Sequence, residues 1–521
     1  MSAIPTQAES THVDSPLPRI DEISLNAKVI AVANRWPSAG IAAAIVRDGS
    51  LEWFAGQGVA DVESKEPITA DTVFRVGSIT KTFTAIAVMQ LWERGLVDLD
   101  APASEYLRAF QLIPARADFR PATVRHLLTH TAGLGYWRRL SDLLRPGIGS
   151  GLRAGRTVPS LPDYYRKGLP LEVEPGSKWV YSNHGFAVLG QLVEDVSGQP
   201  LGQYLREQVF GPLGMEHTDL DRSERVGTRL ATGYVMRSAG LKPVADRGLL
   251  TPGAGAVCST AADMARYVAA LIREGAGEHG SVLKPATLAS MFQPHYRLHP
   301  RVPGMGLGFE LGEESGHSTV GKTGVVPGFH SAMVLAPEDG AGVVVLTNTG
   351  GLDARGVTEP LASALLRRVL GLPDSAIRSD VAARPDIWGD LCGWYGPEPG
   401  PLTNVFVRAL VGAGVEVTVS AGHLMLKPLT LLPAMRHGFR LHPDDPADPL
   451  VFRAEVPEFG TDLHVAFSAT SGDAPITRLV MNRFSFQKRP NARNPRRVVK
   501  GAAAGGALAM AACHLRRRGR S

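Results

Sequence analysis

"GHSTVGKTG", residues 316–324, decides the fold because it admits two incompatible readings. Gly316, Gly321, Lys322 and Thr323 spell G-x-x-x-x-G-K-T, the spacing of a loop that cradles nucleotide phosphates. The same residues end in Lys322-Thr323-Gly324, which on a strand edge sets a cation and a bare backbone beside a ligand. A phosphate loop needs a strand before its first glycine and a helix directly after Lys-Thr. Here "LGEESG" (311–316) precedes, acidic and Gly-rich. "GVVPGFHSAMV" (324–334) follows, with Pro327 and Gly328 opposing a helix before the pattern alternates as a strand does. No apolar strand ends in an Asp that convincingly serves Mg²⁺. The stretch is read as a strand, with a P-loop nucleotide binder kept only as an alternative.

Strand signals surround it. "HSAMVLAP" (330–337) and "AGVVVLTN" (341–348) flank "EDG" as a hairpin, and "TEPLASALLRRVLG" (358–371) follows as a helix. Near the other end, "IAAAIVRDGSLEWFAG" (41–56) is a second hairpin about Asp48-Gly49. Between them, roughly Asp98 to Leu288, the pattern is helical. "STAADMARYVAALIREG" (259–275) is a helix with Thr260 and Asp263 in a capping-box pattern. One antiparallel sheet built from both ends, with helices on its faces, fits this order. The expected organisation is a disordered N-terminus (1–21), an α/β domain (22–372), a linker (373–386, "PDSAIRSDVAARPD"), an all-β barrel-like domain (387–488), and a basic, disordered arm (489–521). In the β domain, "VFVRALVGAGVEVTVSAGHLMLKPL" (405–429), "LVFRAE", "DLHVAFSA" and "ITRLVMNRFSFQK" read as short strands.

Of 521 residues, 44% are hydrophobic and 20% charged, an ordinary globular balance. No run of 18 apolar residues is present, and the start lacks a basic-then-apolar signal pattern. The sequence pI of 9.1 misleads. Ten Lys or Arg and no acid lie between Lys488 and Ser521, and without them 45 basic residues face 50 acidic ones. The charge sits in the arm, read as a solvated end. A basic arm can also touch nucleic acid or anionic lipid; of these a weak contact with an anionic membrane surface is kept as the alternative, and no nucleic acid partner is expected. Cys258, Cys392 and Cys513 are too scattered for a disulfide framework or a metal site. A cytoplasmic location is expected, with membrane association only through the arm.

Chemistry concentrates at three places. Ser78-Ile79-Thr80-Lys81 lies where "TVFRVGS" meets the buried helix "ITKTFTAIAVMQLWERG" (79–95), so a helix N-terminus favours negative charge developing there. Lys81, three residues on, shares a helical face with Ser78, and loss of hydration suits it to act as a base. The plain alternatives are a helix cap and a solvated lysine. A second S-x-x-K, Ser281 to Lys284, sits in a loop. Tyr181-Ser182-Asn183 is the one Y-x-N in the chain. A phenol near Lys81 and Lys322 would relay protons to Ser78, and Asn183 could hold Lys81 and a substrate amide. The alternative is a core tyrosine beside a turn. Lys322-Thr323-Gly324 is the third. His126 and His130, at i and i+4, are read as structural rather than as metal ligands. No cofactor or metal is expected.

The order S-x-x-K, Y-x-N, K-T-G, separated by 103 and 141 residues, resembles the serine hydrolases related to class C β-lactamases. That family includes penicillin-binding carboxypeptidases, D-aminopeptidases and family VIII-type carboxylesterases. "VRHLLTHTAGL", "PGSKWVYSNHGFAVLG", "PLGM" and "STAADMARY" look familial too, over about 330 residues. The resemblance implies a β-lactamase/transpeptidase-like α/β fold with a helical subdomain and the site between them. It also implies an oxyanion hole from the main-chain N–H groups of Ser78 and Val325. The C-terminal β domain resembles, more loosely, a lipocalin-like barrel. Many esterase members carry His or Trp where Lys322 stands, so K-T-G leans towards lactams and peptides. The expectation is a metal-free serine hydrolase acting through an acyl-enzyme on an ester, a β-lactam or a D-amino-acid amide. Ser78, Lys81 and Tyr181 are its catalytic residues, and Asn183, Lys322, Thr323 and Gly324 bind the small-molecule substrate. The alternative is a catalytically inactive binding protein on the same fold. The oligomeric state is left open.

Overall fold

The structure is a computed structural model and describes residues 17–138, 142, 157–220, 222–246, 248–351, 355–374, 377–398, 405–430, 435–456, 461–469 and 474–496. The expectations for residues 1–16, for the arm beyond Arg496, and for Cys513 fall outside the described residues.

Seven antiparallel strands form the first sheet, in the order Ser50–Gly58, Gly40–Arg47, Ala341–Thr347, Phe329–Ala336, His317–Val326, Glu310–Glu314, Gly304–Met305. The two ends of the domain meet at its centre, where Ile41 pairs with Thr347 and Ala44 with Val344. Asp48 (φ 49°) and Gly49 (φ 76°) supply the left-handed turn that the first hairpin requires. Along Gly40–Arg47 the side chains alternate between two cores. Ile41, Ala43 and Ile45 join Leu25 and Val29 of helix Glu22–Arg35 and Leu361 and Leu365 of helix Arg355–Val369. Ala42, Ala44 and Val46 face the larger cluster, with Val268 of helix Ala261–Ile272 and Ile86 and Met89 of helix Thr80–Glu93. Both faces are covered, so the strand is apolar from Gly40 to Val46.

The Thr260 cap forms, its hydroxyl accepting from the Asp263 N–H at 3.0 Å. The reciprocal half of the box does not. Asp263 turns away and accepts from the His217 N–H and the Thr218 hydroxyl, both at 2.8 Å, stitching the helix to an adjacent loop.

A nine-stranded sheet spans Gly393–Pro397 to Phe484–Arg489. Its edge strands, Phe439–Arg440 and His442–Pro443, are separated by one residue, Leu441, so the sheet curls into a nearly closed barrel around Tyr395, Leu426, Phe467 and Phe486. One expectation fails here. "VFVRALV" is a helix, Val405–Val411, not a strand. Val407 and Val411, four apart, turn one helical face onto the barrel core. Their β-branching suggested a strand, and packing overrode that propensity.

The two sheets meet through Val302, Val451, Ala466 and Val480, and through an ion pair, Arg301–Asp445, at 2.6 Å. No helix among the described residues is long and apolar enough to cross a membrane.

Candidate active site

The backbone decides between the two readings of residues 316–324. Gly316 (φ 95°) sits in the turn between Glu310–Glu314 and His317–Val326, and Lys322, Thr323 and Gly324 lie within the second strand, with no helix following. The P-loop reading fails on geometry. The triplet instead packs against the segment that carries Ser78.

That segment runs from strand Val73–Arg75 through a tight turn, Gly77–Ile79, into helix Thr80–Glu93. Gly77 (φ 53°) is required: a Cβ there would lie 2.7 Å from the Val325 nitrogen. Gly324 is equally constrained, because its Cβ would lie 2.1 Å from the Val76 carbonyl oxygen and 3.0 Å from the Ser78 nitrogen. The Ser331 hydroxyl donates to the Val76 carbonyl at 2.7 Å and holds the turn to the sheet. Two glycines thus let Ser78 and Val325 approach across one narrow gap.

Ser78 is half-buried, and its Oγ receives two hydrogen bonds, from Lys81 Nζ at 2.9 Å and from the Tyr181 hydroxyl at 2.8 Å. Lys81 is fully buried and also donates to Asn183 Oδ1 (2.8 Å) and to the Ala254 carbonyl (2.7 Å). Burial pulls its pKa from the 10.5 of a solvated lysine down to about 8, partly opposed by Tyr181. Tyr181 lies between two cations, with Lys81 Nζ 5.0 Å and Lys322 Nζ 5.2 Å from its ring centroid. Burial alone would raise the phenol, but Lys322 and then Lys81 outweigh it and the net shift is downward. His130 packs on Tyr181 with centroids 4.5 Å apart, and burial keeps it neutral, its pKa well below 6.5.

Ser78, Lys81, Tyr181 and Asn183 are therefore joined by hydrogen bonds, Lys322 borders Tyr181, and Thr323, Gly324 and Val325 follow along the strand. The other motif matches do different work. Ser281 donates to the carbonyls of Gly275 and Leu283, and His126 Nδ1 accepts from the Thr123 N–H. Cys258 is wholly buried in strand Cys258–Thr260.

Three neighbours escaped sequence reading. The Ala254 carbonyl carries no side-chain signal. Glu310 bonds Lys322 and pairs in register with Gly321, yet in sequence it is one acid among several in "FELGEES". Arg483, from the barrel, reaches Glu310 Oε2 at 3.2 Å, a contact no local pattern foretells.

A model of the beta-lactamase family matches residues 31–367, more than half of the chain. The chain belongs to the beta-lactamase family. It is 39% identical over 185 residues to esterase EstB of Burkholderia gladioli, a match covering 34% of this chain and 45% of that protein. Penicillin-binding protein 4 of Amycolatopsis lactamdurans is 30% identical over 376 residues, 69% of this chain and 94% of the relative. The structure of the octameric penicillin-binding protein homologue from Pyrococcus abyssi aligns with a TM-score of 0.59 over 90% of this chain and 100% of that one, at 24% identity, a likeness of fold. The chain is thus a β-lactamase/transpeptidase-like hydrolase-family protein with an appended, nearly closed β-barrel.

Proposed function

We propose that the chain is a serine hydrolase that works through an acyl-enzyme on an ester, a β-lactam or a D-amino-acid amide. One observation carries the reading: the Ser78 hydroxyl is hydrogen-bonded by both Lys81 and Tyr181, two groups whose pKa values move towards neutrality. Ser78 attacks the substrate carbonyl while the Lys81–Tyr181 pair takes its proton, the two titrating as one coupled unit. The main-chain N–H groups of Ser78 and Val325 receive the tetrahedral oxyanion, each donor contributing about 3 kcal/mol. Tyr181 then hands a proton to the leaving group and, in deacylation, helps activate water. Lys322 keeps the phenol acidic and draws anionic substrates, while Asn183 holds Lys81. The proton transfers use only side chains, with no metal in the scheme. Residues 22–372 would form the catalytic domain and 387–488 an accessory one.

A panel of short-chain nitrophenyl esters, a chromogenic cephalosporin and D-alanyl peptides, with wild type and Ser78→Ala, tests it. Turnover of one class, lost in the variant, is expected. A fluorophosphonate that labels both proteins equally, with no turnover of any class, would instead support a non-catalytic binding protein.

A further inference from the structure

The barrel reaches into the catalytic neighbourhood through one turn. Between strands Ile476–Met481 and Phe484–Arg489, Asn482 (φ 51°) and Arg483 form a tight hairpin tip. The tip is braced from behind, since the Asn482 side chain accepts from the His464 N–H at 2.9 Å and the Asn482 N–H donates to the His464 carbonyl at 2.8 Å. From it two side chains cross to the first domain. Phe484 stands edge-on to Trp179, centroids 5.2 Å apart, and Trp179 lies two residues before Tyr181. The Arg483 guanidinium lies 5.9 Å from the Trp179 ring, its Nε donates to the Gly304 carbonyl at 3.1 Å, and a terminal nitrogen donates to Glu310 Oε2 at 3.2 Å. The other oxygen of Glu310 takes Lys322.

Glu310 is thus a carboxylate shared between a cation of the catalytic strand and a cation of the barrel. Burial would push it up, but Arg483 and then Lys322 outweigh burial and hold it at about 2. A carboxylate with both oxygens engaged has one orientation, so Lys322 has one too. We propose that Arg483 is a positioning residue for the hydrolase site: by gripping Glu310 it fixes the Lys322 ammonium beside Tyr181 and sets the charge around the Ser78 proton pair. This rests on the serine-hydrolase reading above. It makes the barrel a working part of the site, although no barrel residue need touch the reacting atoms.

The charged and titratable groups around Lys322 are Glu310, Tyr181, Lys81, His130 and Arg483, drawn from both domains. Taking a positive charge from this set makes the proton pair harder to deprotonate, and taking a negative charge makes it easier. The experiment follows the pH dependence of fluorophosphonate labelling of Ser78 in the full chain, for wild type, Arg483→Met, Arg483→Lys, Glu310→Gln and the Arg483→Met/Glu310→Gln double variant. Labelling of Ser78 rises with pH in wild type. In Arg483→Met the rising limb is expected to move up by about half to one pH unit, and the rate below it to fall about three- to tenfold. Arg483→Lys keeps the limb in place, Glu310→Gln moves it down, and the double variant returns it close to wild type. A purely structural role would move both single variants alike.

Limbs that do not move, or that move in the same direction, overturn the proposal while labelling of Ser78 leaves the hydrolase reading intact. Wild-type protein labelled no better than Ser78→Ala overturns both. Should Arg483→Met fail to fold, Glu310→Gln decides, since it leaves the Gly304 and Trp179 contacts of the barrel in place: a downward limb supports the proposal and an unmoved one sinks it.

Discussion

Replacing Lys81 with methionine separates the proposed catalytic role of the lysine from what its burial costs the fold. Lys81 is wholly buried, and its pKa falls from 10.5 in solvent to about 8. A lysine harder to protonate when folded binds fewer protons in the native state than in the unfolded chain between those two values. Stability therefore rises with pH through that window, and below about pH 8 the fold carries the full penalty. At 1.36 kcal/mol per unit, the whole shift amounts to about 3 kcal/mol, of which about 2 kcal/mol is recovered between pH 7 and pH 9.5. The methionine variant loses this dependence. It also leaves Asn183 Oδ1 and the Ala254 carbonyl without their donor, at about 1–3 kcal/mol for a buried unsatisfied group. That loss does not vary with pH, so the absolute stability of the variant at one pH is a poor guide. The difference between proteins across pH is a good one. Denaturant unfolding at pH 7 and pH 9.5 should show wild type gaining at least about 2 kcal/mol more than Lys81→Met, because titrations away from the site cancel in the comparison. Tyr181 adds in the same direction, since its lowered pKa also lifts stability with rising pH and relaxes once Lys81 is gone. Parallel pH dependences in the two proteins would refute a depressed Lys81 and, with it, its role as a base. The same variant should lose about 10²–10⁴-fold in rate.

Tyr181→Phe removes the hydroxyl 2.8 Å from Ser78 Oγ, and should cut kcat/KM by about 10²–10⁴-fold while leaving the fold intact, as measured by steady-state kinetics and circular dichroism. Gly324→Ala places a methyl group 2.1 Å from the Val76 carbonyl oxygen, so the strand must back away from Ser78; loss of Ser78 labelling by a fluorophosphonate is expected, and wild-type labelling would contradict the packing. Thr260→Ala deletes the helix cap and should lower stability by about 1 kcal/mol in denaturant unfolding without changing kcat. Activity of the wild type should rise with pH through about 8, as the Lys81–Tyr181 pair sheds its proton, and a pH–rate profile falling over that range would contradict the assignment.

What the sequence made legible was local chemistry. Asp48-Gly49 names its own turn, and an unbroken apolar run such as "IAAAIV" names a strand buried on both faces. The three motifs are short and distinctive, so Ser78, Lys81, Tyr181 and Asn183 could be expected to converge before any coordinates, and hydrogen bonds do join them. What stayed hidden was whatever depends on partners far along the chain. Glu310 matters only because a hairpin register sets it beside Lys322, and Arg483 only because the barrel docks where it does. The Asp263 side chain left its capping box for a loop 45 residues away, and "VFVRALV" became a helix because two valines found a core. In each case a tertiary contact outbid a local preference.

The position of Tyr181 explains why the site draws on so many separated segments. A tyrosine can exchange protons near neutrality only where the phenolate is stabilised, and burial works against that. Lys81 helps less than Lys322, because the same burial drives it towards its neutral form. The compensating charge must come from a cation that stays protonated despite being buried, and that is Lys322. Burial would lower Lys322, yet Glu310 and Tyr181 outweigh it and hold its pKa above 10.5. Glu310 in turn stays ionised because Arg483 faces its other oxygen. Lys322, Glu310 and Arg483 thus alternate in sign away from the phenol, and the net charge of that row, reaching to an arginine on a different sheet, sets the acidity of Tyr181.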